Sequence, residues 1–228
     1  MTKLIRTILL FLVSLLLYWG TAMLFGCLAA ICWPLFREVE AMVCVAVFFV
    51  GCIIFKKWRF NAIYVFGHET THWLVAKMFL KDTGRMKVGS AGGSVEISGT
   101  NVWITLAPYI VPFYVLLAVA VLGISQIFVY PTPDYGKTAF GVAMCLTYSY
   151  HIMLTWFVLK QQQSDLEIYG RFFSFGLIAF GNVLLLLLAI LMVTQQWEYG
   201  WNFLKRELLA QQEWIVFAIT WIRRVLVK

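Results

Sequence analysis

Between residues 7 and 36 no side chain carries a charge. A stretch of that length has few possible fates, because about 20 apolar residues in helical form already cross the roughly 30 Å of hydrocarbon in a bilayer. Five more apolar runs follow, at residues 41–55, 61–80, 102–130, 138–159 and 172–194, separated by short charged or glycine-rich stretches. With 62% hydrophobic and 13% charged residues, the chain has too little polar surface to clothe a soluble core. The pattern predicts an all-α polytopic membrane protein of about six transmembrane helices. Such a chain is a multi-pass integral protein of an inner or cell membrane, with the lipid bilayer as its first partner.

The net charge of +7 does not point to nucleic acid. The Lys and Arg residues stand in short clusters between apolar runs, as in Lys56-Lys57-Trp58-Arg59, where juxtamembrane anchors belong. Cysteines 27, 32, 44, 52 and 145 all lie inside apolar runs and form neither a CxxC pair nor a Cys/His cluster with metal spacing, so they are expected as small packing residues. Leu24-Phe25-Gly26-Cys27 has the outline of a lipoprotein cleavage box. The apolar run continues past it, which favours an uncleaved first span over a lipobox or a signal peptide.

Two stretches break the apolar pattern. In residues 81–101, Met86, Val88, Val95 and Ile97 flank Gly89-Ser90-Ala91-Gly92-Gly93 with period-two spacing, which predicts a small β-hairpin. In residues 195–228, Trp197, Trp201, Leu204, Leu208 and Trp214 mix with Lys205, Arg206, Arg223 and Arg224, which predicts a C-terminal amphipathic helix lying along the membrane interface. Pro108 and Pro112 predict a kink or break at the entry to the fourth run, and Pro131-Thr132-Pro133-Asp134 a turn at its end. The chain thus divides into N-terminal transmembrane helices (1–60), a membrane core (61–194) and the amphipathic tail (195–228).

The third run is apolar except for Gly67-His68-Glu69-Thr70-Thr71-His72, an HExxH motif. Residues four apart share a helix face, so His68 and His72 can grip one metal ion, with Glu69 placed to take a proton from water that the metal acidifies. Ionisable groups inside a membrane span are costly and usually functional. Two of the three histidines in the chain fall in this block, which sets it above a pair of packing histidines.

Zinc needs a third protein ligand, and the longer HExxHxxGxxH pattern is absent. Asp165, Glu167, His151, Glu96 and Glu38 are the candidates. The third run ends at the 81–101 loop, the fourth crosses away and the fifth returns, which delivers Asp165 to the loop's side. His151 lies about two turns inside the fifth run, and Glu167 is two residues beyond Asp165.

An HExxH in a membrane helix, a glycine-rich β-like loop after it, a proline-bearing span and an Asp at the head of a later span together resemble the site-2 protease family of intramembrane zinc metalloproteases. The resemblance covers roughly residues 63–182. It implies a zinc cofactor held by His68, His72 and Asp165, with Glu69 catalytic, and a site opening towards the cytosol. The family's Asp-Gly stands here as Ser164-Asp165-Leu166. Val95-Glu96-Ile97 or Met86-Lys87-Val88 would then be an edge strand for an unwound substrate segment. The expected activity is hydrolysis of a peptide bond in or near a transmembrane segment of a membrane-protein substrate. An inactive metal-binding scaffold and, less favoured, an ion transporter are the alternatives. Charge balance puts the termini on the cytoplasmic face, whereas the resemblance implies the reverse, and the sequence leaves orientation and oligomeric state open.

Overall fold

The computed structural model describes residues 3–35, 38–58, 61–90, 92–128, 134–161, 163–194 and 196–226. Nine helices and one hairpin occur among them: α1 (Lys3–Leu35), α2 (Val39–Lys57), α3 (Asn61–Met78), β1 (Thr83–Gly89), β2 (Gly92–Ile97), α4 (Val102–Ile110), α5 (Phe113–Phe128), α6 (Asp134–Leu159), α7 (Ser164–Ile168), α8 (Arg171–Thr194) and α9 (Trp197–Leu226). Three stretches are long and apolar enough to cross a membrane, Lys3–Leu35, Ala139–Leu159 and Arg171–Leu191, and the number rises to five if α2 with α3 and α4 with α5 each make one bent span. Among the described residues six independent spans are not confirmed, since α2 and α3 count only as one bent pair. The mostly helical, membrane-type architecture of the sequence pattern is present, with the small two-stranded antiparallel sheet where the alternation predicted it.

The chain packs as two compact units, residues 1–35 with 179–228, and residues 36–178. In the first, Leu24, Cys27, Leu28 and Ile31 of α1 bury against Leu187 and Leu191 of α8. The tail forms one continuous helix whose contacts with α1 run in reverse order: Gly200 meets Ile31 and Cys27, Phe203 meets Gly26, and Gln211 accepts a hydrogen bond from the Trp19 indole. Thus α9 lies antiparallel along α1.

In the second unit α2 and α6 pack side by side. Gly51 permits the contact, since a Cβ there would sit 2.2 Å from Ser149 Oγ, and Phe48 with Tyr148 and Phe55 with Tyr150 pair their rings. Helices in lipid associate by such close approach of small residues rather than by apolar transfer. α3 ends at Met78, and Leu80, at φ 55°, turns the chain while Lys81 N–H donates to Ala76 O. The turn feeds β1, which pairs with β2 in the register Met86↔Val95 and Val88↔Gly93.

The expected break in the fourth run lies at Val111-Pro112. Val111 is extended, as a residue before proline prefers, and α4 and α5 meet at a bend of 67°. The Asn101 side chain caps α4 by accepting from Ile104 N–H at 2.9 Å. Residues 131–133 of the expected turn lie outside the described residues, and α6 begins at Asp134. Between α6 and α8 the chain makes the one-turn helix α7. Leu166 is fully buried there, its carbonyl accepts from Ser174 Oγ, and Gly170, at φ 85°, makes the turn into α8.

Candidate metal centre

Two elements distant in sequence, α3 and α7, converge on one point of the second unit. His68 and His72 project from the same face of α3, one turn apart, with ring centroids 4.9 Å from each other. Asp165 enters from the first turn of α7, placing Oδ2 3.8 Å from His68 Nε2 and 3.5 Å from His72 Nε2. One ligand atom from each of the three lies within 4.8 Å of the others. Asp165 therefore comes beside the two histidines from inside α7 rather than capping the following helix.

Each of these groups has a second partner that aims it. His72 Nδ1 lies 2.7 Å from the carbonyl oxygen of Ile104. A carbonyl only accepts, so Nδ1 carries the hydrogen and Nε2 of the neutral ring presents a lone pair towards Asp165. Tyr64, one turn before His68, places its hydroxyl 3.2 Å from His68 Nδ1. Tyr109, fully buried on α4, donates to Asp165 Oδ2 at 3.1 Å and sets its ring edge-on to His68. Burial by itself would raise the Asp165 carboxyl, but the adjacent imidazoles of His68 and His72 outweigh it and hold the group well below the usual carboxylate range.

These residues fit a metal. Ring nitrogens and a carboxylate oxygen facing one another at 3.5 and 3.8 Å are too far apart for good hydrogen bonds. The spacing approaches the edge of a tetrahedron whose metal–ligand distances are about 2.0–2.1 Å, which is roughly 3.3 Å. Two imidazole nitrogens and a carboxylate oxygen converging on one point make a donor set for a cation at their centre.

Glu69, only 8% exposed, lies on α3 beneath the hairpin and feels the charges of His72 and Asp165. Gly93 of β2 makes that cover possible. A Cβ added there would stand 2.9 Å from Glu69 Cγ and 2.6 Å from Val65 Cγ1, and would also meet the Lys87 carbonyl at 2.8 Å. At the other end of the motif Tyr114, on the first turn of α5, rests on Gly67 and donates to the Ile63 carbonyl.

The other candidate ligands do not join the group. His151 is buried in α6 beside Tyr148, Glu167 is exposed on α7, Glu38 is exposed before α2, and Glu96 lies on β2, where it accepts from Arg85 N–H. Tyr64, Tyr109, the Ile104 carbonyl and Gly93 were not singled out from the sequence. Tyr64 had a legible signal, since it stands four residues before His68 on the same helix face. Tyr109 and Ile104 act through α4, and no local pattern announces which of its groups face α3.

No family model, no curated protein and no solved structure matches this chain.

Proposed function

We propose that the chain is an intramembrane zinc metalloprotease of site-2 protease type, hydrolysing a peptide bond in or near a transmembrane segment of another membrane protein. The observation that supports this is the convergence of His68 and His72 of α3 with Asp165 of α7, beside the buried carboxylate of an HExxH motif. A set of two imidazoles and one carboxylate suits zinc and leaves a coordination position free for chemistry.

His68, His72 and Asp165 would hold the ion. Zinc, when bound in such a set, polarises a carbonyl and makes water acidic enough to deprotonate near neutral pH. Glu69 accepts the proton of the attacking water as its oxygen bonds to the scissile carbonyl carbon, then returns that proton to the amine as the C–N bond breaks. The hairpin over Glu69 keeps lipid from the carboxylate, while Ile104, Tyr64 and Tyr109 hold the ligands in orientation. The bilayer is crossed by α1, α6 and α8 and entered by the two bent pairs, which brings α3 within reach of a substrate span.

Glu69→Gln tests the mechanism, since the amide keeps the shape but cannot take a proton. In cells expressing the full chain with a pooled library of single-span reporters, the wild type should release fragments. The variant should keep its zinc and cleave about 10²–10⁴-fold more slowly. Equal cleavage by the variant overturns the mechanism. A wild type that holds metal and cuts no reporter would instead be a binding scaffold, and ion flux through reconstituted vesicles that depends on His68, Glu69 and His72 would make it a transporter.

A further inference from the structure

Pro108 lies inside α4, four residues after Ile104. In an α-helix the carbonyl of residue 104 accepts from the N–H of residue 108, and proline has no N–H. Ile104 is 1% exposed, so water does not replace the missing donor, and a buried carbonyl without a partner is costly. The group that does reach it is His72 Nδ1, at 2.7 Å. Pro108 is thus followed at once by Tyr109, whose hydroxyl holds Asp165. One turn of α4 orients two members of the convergent set, one through a backbone acceptor that proline leaves open and one through a side chain.

We propose that Pro108 is a positioning residue of the metal centre: by withholding a helical N–H it reserves the Ile104 carbonyl for His72 and so fixes the ring with Nε2 towards Asp165. The role is separate from bending, because the 67° break between α4 and α5 falls at Val111-Pro112. It rests on the metalloprotease reading only for its consequence in catalysis, since the tautomer of His72 is a property of the metal-free chain.

The test uses the full chain in detergent or nanodiscs. Nitrogen-15 spectra of the metal-free protein at about pH 9, where imidazole is neutral, should show His72 protonated at Nδ1 and bare at Nε2. Pro108→Ala, which restores the N–H, should weaken that preference and lower zinc affinity, measured by chelator competition, about 10–100-fold, the usual cost of losing the partner of a liganding histidine. Pro112→Ala should leave zinc affinity unchanged. A wild-type His72 protonated at Nε2, or equal zinc affinity in a folded Pro108→Ala, overturns the proposal; if Pro108→Ala does not fold, the wild-type tautomer alone decides. A chain with the Nδ1 tautomer that binds zinc yet cleaves no substrate would refute the metalloprotease reading and leave this one standing.

Discussion

The two compact units of the chain bury different things. In the unit of residues 1–35 and 179–228 the core cluster is Leu24, Cys27, Leu28, Ile31, Leu187 and Leu191, and the buried polar groups among its described residues are the uncharged Ser14 and Asn182. In the unit of residues 36–178 the buried set includes Glu69, Thr71, Thr105, Tyr109, Ser149 and His151. A leucine leaving lipid for another leucine gains little beyond close contact, so the first kind of packing tolerates many sequences. A buried carboxylate or imidazole must have its partners supplied one by one. The contrast teaches that in a chain this apolar the polar interior, rather than the hydrophobic one, carries the specific information.

The contrast can be broken from either side. Asp165→Ala should have the largest effect, taking bound zinc from about one per chain towards none and abolishing cleavage, as read by metal analysis of the purified protein. Leu28→Ala, in the apolar unit, should leave zinc content and zinc affinity as they are, and a loss of metal there would erase the distinction between the units. Tyr109→Phe removes only the hydroxyl that holds Asp165 and should weaken zinc about tenfold in chelator competition.

Gly93→Ala should keep the metal while turnover falls by about an order of magnitude, because the new Cβ meets Glu69 and Val65. Val65→Ala in the same chain should recover part of that loss. Asn101→Ala is the mildest change. It deletes the α4 cap, worth about 1 kcal/mol, and should shift the thermal midpoint slightly with zinc stoichiometry intact.

What could be read from the sequence follows the same division. The apolar runs at 138–159 and 172–194 reappear as parts of α6 and α8, and the alternation around Gly89-Ser90-Ala91-Gly92-Gly93 as the hairpin, because period and hydropathy are local properties. His68 and His72 were legible since a helix repeats on a fixed face, and Asp165 because counting spans places it on the right side. The count of six treated α2 and α3 as separate spans, whereas among the described residues they are long and apolar enough to cross only as one bent pair. The tail was read as an amphipathic helix and is helical as α9, and its register against Trp19, Gly26 and Ile31 runs along α1, a pairing that amphipathic composition alone does not reveal. Pro108 announced a kink, and its consequence for His72 became visible only once α4 was set against α3.

Metal-edge X-ray absorption on the purified, zinc-loaded full chain tests the centre most directly. Two imidazole nitrogens and one carboxylate oxygen should surround the ion, with one imidazole lost in His72→Ala and the carboxylate lost in Asp165→Ala. A zinc shell unchanged by Asp165→Ala, or no zinc retained by the wild type, would contradict the assignment of His68, His72 and Asp165 to a single site.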